Sequence, residues 1–258
     1  MRPARSALAG AERAASYILA NRAIEGGGFA HGARDRAGPY LGDTLAMGQA
    51  ALDLYAATGE RKWLDVADRA GEFIEARFKD EAGGFLTTAT PAAATGVFLK
   101  ETKLLDEQVA ATRFANALNR YLGKAEYRAL AEHGARYLAA PAILGQPRPF
   151  PGILLADREL SEDPTHITIV GRKDAPESAT LHAAGRAYPA LYKRIDWWDT
   201  REGPLPNPDV QYPELDQPAA FACTNRIGSQ PVFDPAELGG TVTKMLAATG
   251  AKGYTLFP

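Results

Sequence analysis

Two stretches, AERAASYILANRAIEGGGF (Ala11–Phe29) and ADRAGEFIEARFKDEAGGF (Ala67–Phe85), align without a gap at a constant offset of 56 residues. Both open on alanine, an acid, arginine and alanine. Both carry an aromatic followed by isoleucine (Tyr17–Ile18 and Phe73–Ile74), and both close on Gly-Gly-Phe. A third copy begins at AEHGARYLAA (Ala131–Ala140) and is stopped by Pro141. Self-similarity at this period is the signature of a repeated helical unit, and it limits the fold before any single residue does. The glycines allow the chain to leave a helix through positive φ. The phenylalanine that follows is expected to pin the connector back onto the hairpin ends.

A second kind of helix lies between the copies. DTLAMGQAALDLYAATGE (Asp43–Glu60) sets Leu45, Gln49, Leu52, Tyr55 and Ala56 on one stripe. DEQVAATRFANALNRYLGK (Asp106–Lys124) does the same with Ala110, Phe114, Ala117, Leu118 and Tyr121. This is the spacing of an amphipathic helix. Each opens on an aspartate suited to an N-cap and ends at a glycine, Gly59 or Gly123, suited to a left-handed cap. A short turn then leads to an aromatic, Trp63 or Tyr127, in the next helix. The repeating unit is thus an antiparallel helix hairpin, and its many alanines and glycines predict close helix packing.

After Pro141 the periodicity stops. PAILGQPRPFPGILLADRELSEDP reads as a surface connector, HITIVG (His166–Gly171) as a strand, and DAPESATLHAAGRAY as a helix with Pro176 in its first turn. LYKRIDWW (Leu191–Trp198) reads as a second strand, and that order favours a parallel pair. A proline-rich loop, a third strand in AAFACT and a helix capped by Asp234 complete the chain. The expected architecture is mainly α: a partial (α/α) helical-hairpin toroid over 1–145, followed by a small α/β subdomain over 146–258.

Composition narrows the function classes. A net charge of -2 and a pI near 6.1 give no electrostatic reason to expect nucleic acid or an anionic membrane surface. No apolar run approaches the roughly 20 residues a membrane span needs. The opening MRPARSALAGAERAASYILANR fails as a signal peptide, because Glu12 and Arg13 interrupt its apolar stretch. Cys223 stands alone, so no internal disulfide forms, and the compartment stays open. GGGFAHG lacks the preceding strand that a phosphate cradle requires, so no nucleotide cofactor is expected.

Four stretches, GGGFAHG, GPYLGDTLAMGQAALDLYAATGERKWLDVA, DEQVAATRFANAL and AAFACTNRIGSQPVFDPAEL, carry a likeness over nearly the whole chain. In them the sequence resembles the helical and C-terminal regions of the spermatogenesis-associated, DsbH-like thioredoxin-domain family. The resemblance implies hairpins of a six-hairpin, glycosidase-type (α/α) barrel. Two features depart from the family pattern. The thioredoxin domain with its paired cysteines and the early hairpins are absent, so the chain reads as a fragment or a truncated relative. The tail also holds Cys223 alone, with Ser229 near the place of a second cysteine.

Candidate site residues follow. Asp43 and Asp106 begin equivalent helices, which an N-cap role explains; in glycosidase-like barrels that end can hold an acid and a base. Glu107 adds a carboxylate that the helix dipole explains equally. His31, Arg34, Asp35 and Arg36 make the loop HGARDRAGPY densely polar, as a solvated loop or a sugar-binding one. His31, His133, His166 and His182 lack metal-ligand spacing, so no metal is expected. Cys223 reads as a buried thiol, or as a nucleophile if His166 or His182 lies close. Of Trp197 and Trp198, one is expected to serve the core and the other an interface.

The leading expectation is a non-catalytic binding or assembly module, its toroid completed by another chain or a second copy, with a carbohydrate as a possible ligand. The alternatives are a carbohydrate-active enzyme using Asp43 or Asp106, and a redox accessory to a thioredoxin-like partner through Cys223.

Overall fold

The structure, a computed structural model, describes residues 2–33, 38–89, 102–145, 150–224 and 227–248. The protein is mainly α-helical with one small mixed sheet. It divides into two compact units, Met1–Asn119 with Lys124–Ser161, and Arg120–Gly123 with Glu162–Pro258.

The first unit follows the repeat. Helix α1 (Arg2–Arg22) leads to α2 (Leu41–Thr58), which turns tightly into α3 (Arg61–Phe78). Helix α4 (Leu105–Leu122) turns in the same way into α5 (Ala125–Leu138). Both turns run through a left-handed glycine, Gly59 at φ 71° and Gly123 at φ 69°. After them the Trp63 amide donates to the Glu60 carbonyl at 3.1 Å, and the Tyr127 amide to that of Lys124 at 3.2 Å.

The two glycine knuckles superpose bond for bond at the offset of the repeat. Ile24 N–H donates to Gly28, Gly27 N–H to Ile24, and Ala30 N–H to Arg22. Their counterparts are Asp80 to Gly84, Gly83 to Asp80, and Leu86 to Phe78. Each knuckle is a miniature antiparallel bridge, Ala23 with Phe29 and Lys79 with Phe85. Phe29 and Phe85 are buried as expected. Each is also held from the next helix: Phe29 N–H by Thr44 Oγ1, and Phe85 at both its N–H and its C=O by the amide of Gln108.

Small residues set how closely the helices approach. A Cβ at Gly48 would lie 2.5 Å from the Phe114 ring, and one at Gly134 would lie 3.0 Å from Phe85. The core around them is aromatic, with Tyr55, Trp63, Phe78, Phe85 and Tyr127 almost fully enclosed. Each such side chain contributes about 1.5–3 kcal/mol by leaving water.

Two sequence expectations need correction. Asp43 is not an N-cap. Helix α2 begins two residues earlier, with Tyr40 in the cap position making no side-chain cap bond, so Asp43 sits inside the first turn. Asp106 likewise lies within α4, one residue past its start at Leu105. The stretch after Pro141 is also more than a connector, since it forms α6 (Pro141–Leu144) and the eleven-residue α7 (Pro151–Ser161). Pro151 opens α7 rather than breaking it, because the first turn needs no N–H from that residue. The buried carboxylate of Glu159 in α7 takes two bonds of 2.8 Å from Arg113.

The second unit is built on strands β1 (Thr165–Val170), β2 (Lys193–Trp198) and β3 (Ala219–Cys223), in the order β2-β1-β3. Strand β1 pairs parallel with β2 and antiparallel with β3, with His166 opposite Cys223. Helix α8 (Pro176–Ala187) makes the crossover and packs on the sheet with α9 (Pro235–Ala248). A Cβ at Gly185 of α8 would meet Ile167 at 3.1 Å, so glycine lets the helix settle on β1. Asp234 caps α9 through the Ala236 amide at 2.9 Å.

No helix of the described residues is long and apolar enough to cross a membrane.

Candidate functional site

In the first unit the connector after the second knuckle runs beside the start of α2. Tyr40 bridges to Thr88, and Leu41 N–H donates to the Thr87 carbonyl at 2.9 Å. This brings Thr87 to the start of α4, where its hydroxyl donates to Glu107 Oε2 at 2.7 Å and accepts from Leu104 N–H. The first turns of α2 and α4 are thereby joined around a cleft of about 350 Å³, lined by His31, Tyr40, Gly42, Asp43, Thr87 and Glu107.

Each wall has a physical reason for its residue. A Cβ at position 42 would lie 2.9 Å from Glu107 Oε1, so glycine there leaves room for the carboxylate. Asp43 Oδ1 lies 3.0 Å from His31 Nδ1, whose ring meets Tyr40 edge-on at 6.1 Å. Asp43 Oδ2 is enclosed and has no hydrogen-bond partner among the described residues. Burial pushes the Glu107 carboxyl above its ordinary value; the Thr87 bond opposes this, and the charges of Asp106 and Asp43 add to it.

The sign of the Glu107 shift gives a stability prediction. A raised carboxyl contributes stability that is fully present below its ordinary pKa of 4.5 and is lost as pH rises through the folded value. Glu107→Gln, which stays neutral at all pH, should therefore stabilise the protein at pH 7 by up to about 1 kcal/mol, the exposed part of the cleft screening the rest. That gain should vanish near pH 4. Paired urea melts at the two pH values measure it, and a variant equally stabilised at both would show that the carboxyl's charge is not the cause.

The structure brings His31 and Asp43 together, and Asp106 stays outside the cleft, exposed, acting on it only through its charge. Arg34, Asp35 and Arg36 lie outside the described residues. Glu107 takes the place expected of Asp106, and Tyr40, Gly42 and Thr87 are additions. The signal for Glu107 was present: Gly59 and Gly123 stand 64 positions apart, as do Trp63 and Tyr127, and the same step from Asp43 arrives at Glu107.

The remaining candidates fall in the second unit. Trp197 and Trp198 face opposite ways, Trp197 buried and Trp198 half-buried. Trp197 stacks on His182 at 4.5 Å and donates to the Gly171 carbonyl. Trp198 is half-buried beside Tyr212 at 6.3 Å and donates to Gly203. The Cys223 thiol is buried, with the Tyr212 hydroxyl 3.9 Å away. Burial pushes the thiol up, against the pull of that hydroxyl, which disfavours a reactive thiolate. Of the two histidines weighed for it, His166 shares its face of the sheet, while His182 stacks on the Trp197 side. Ser229 accepts from Ala222 N–H at 3.0 Å and donates to Gln230. Among the described residues no three His, Cys, Asp or Glu side chains converge as metal ligands.

No protein-family model matches the sequence, and no curated protein matches it.

Proposed function

We propose that the chain is a non-catalytic binding module whose first unit holds a small hydroxylated ligand of the carbohydrate class between the first turns of α2 and α4. The observation that carries this reading is Asp43 Oδ2, an enclosed acceptor with no donor among the described residues. A buried acceptor left unsatisfied costs about 1–3 kcal/mol, and a ligand hydroxyl reaching it recovers that. Glu107 adds a second polar group and Tyr40 an aromatic wall on the same cleft, and the cleft volume suits one or two sugar rings. The likeness to glycosidase-type hairpins points to the same ligand class.

Two observations favour neighbouring readings. The raised carboxyl of Glu107 beside a second carboxylate is the arrangement a sugar-cleaving acid would use. In α1, by contrast, Ala15 is the one buried residue among those with described side chains, and Tyr17 is 59% exposed. That face is where an (α/α) toroid would continue into another chain or a second copy.

Native mass spectrometry of the full chain with a panel of neutral mono- and disaccharides separates these. A saturable one-to-one adduct is expected, weakened tenfold or more by Asp43→Asn. Sugars that bind neither protein, or both equally, would remove the cleft reading. A dimer without adduct would transfer the proposal to α1, and hydrolysed sugar would make Glu107 an acid catalyst.

A further inference from the structure

One face of the sheet in the second unit joins an apolar part, Val170, Trp198, Phe221 and Cys223, to a polar and charged one. On it stand His166 and Thr168 of β1 and Arg194 and Asp196 of β2, none more than 5% exposed. Asp196 Oδ2 accepts from Arg194 Nε at 2.7 Å and lies 2.9 Å from His166 Nε2, which in turn lies 2.9 Å from the Thr168 hydroxyl.

The cover over this face is the segment 203–218, a strap with five prolines and no regular structure. It is held by packing, with Leu205 buried and Val210 and Tyr212 against the apolar part of the face, and by polar bonds, among them that from Trp198 to the Gly203 carbonyl. Asn207 donates to the Arg120 carbonyl, the Tyr212 hydroxyl meets Thr168 at 2.8 Å, and Asp209 Oδ2 accepts from Arg194 Nη1 at 2.6 Å.

The Arg194 guanidinium is incompletely used. Its side chain is 3% exposed, Nε serves Asp196, and Nη1 takes a single oxygen of Asp209. Nη2 is enclosed with no hydrogen-bond partner among the described residues, and the guanidinium carbon lies 5.8 Å from the centre of the Tyr121 ring. Guanidinium pairs with oxyanions are commonly bidentate, two parallel bonds to two oxygens. Asp209 supplies one, and it is itself 35% exposed, so the place it occupies is reachable from solvent.

We infer that Asp209 is an internal stand-in, and that Arg194 takes an oxyanion presenting two oxygens, the phosphate or carboxylate end of a small ligand, which displaces Asp209 and frees the strap around it. Exchanging the Asp209 carboxylate for a singly charged oxyanion leaves the charge facing Arg194 unchanged, and Asp196 keeps its bond to Nε throughout. Asp196 opposes the incoming group but is already neutralised by Arg194 and bonded to His166.

Equilibrium dialysis of the full chain against inorganic phosphate tests this. Asp209→Asn removes the competing charge and should bind phosphate at least tenfold more tightly than wild type. Adding Arg194→Lys, which keeps the charge but loses the fork, should abolish the gain. Equal affinity in wild type and Asp209→Asn overturns the inference. So does binding that persists in the double variant, which would place the ion elsewhere. Loss of the folded circular-dichroism signal in Asp209→Asn also overturns it, since a displaceable group cannot be one the fold requires.

Discussion

Leucine in place of Gly71 is expected to destabilise the protein by about 3 kcal/mol or more, at the upper end of overpacking penalties. Gly71 lies in α3, where a Cβ would meet a methyl of Leu118 and sit 2.8 Å from the Tyr127 ring. Neither neighbour has room to yield. The Tyr127 hydroxyl donates to Asp68, with Oδ1 at 2.5 Å and the carbonyl at 2.8 Å, and Lys124 Nζ stands 5.6 Å over the ring. Leu118 is fully buried in the same interface. A thermal melt followed by circular dichroism should fall by roughly 6–12 °C. Alanine at the same position is the more discriminating variant. It gains about 1 kcal/mol of helix propensity, so a net loss measures the clash directly. A net gain would mean that α3 and α5 can move apart.

The second large effect is expected at Gln108, whose amide bonds both backbone groups of Phe85 at 2.7 Å. Gln108→Leu keeps most of the volume but leaves a buried N–H and a buried C=O without partners. At about 1–3 kcal/mol each, the loss should come to roughly 2–6 kcal/mol. The equivalent residue of the first copy, Thr44, makes a single bond of 3.2 Å to Phe29 N–H. Thr44→Val should therefore cost about half as much. Urea melts give the energies, and amide exchange at Phe85 locates them. A Gln108→Leu protein with an unchanged Phe85 exchange rate would show that the knuckle is held by the phenylalanine ring alone.

Helix periodicity and glycine punctuation made the hairpins legible in the sequence, because those signals are local. The same locality explains the errors. Asp43 looks like a cap because aspartate is a good cap, but Tyr40 and Leu41 extend the helix backwards where the connector at Thr87 lies against them. Helix α7 was hidden by the prolines ahead of it. Asp106 and Glu107 are both acids in the first turn of α4, and local sequence does not tell them apart. Which of them faces the cleft depends on Thr87 and Gly42, residues brought there by the connector. The charged face beneath the strap could not be read from composition, since Arg194, Asp196 and Asp209 look like ordinary surface charge until the sheet and the strap enclose them.

The order β2-β1-β3 has a bearing on how the molecule comes together. The strand made first lies in the middle, and His166 finds Cys223 only after 57 further residues have been added. Helix α3 has its principal partner in α2, which immediately precedes it. Loop closure over such unequal distances favours early formation of the helix pairs, with the sheet completing late. Until β3 arrives, the edge of β1 that will receive it stands open, and the buried guanidinium is still in water.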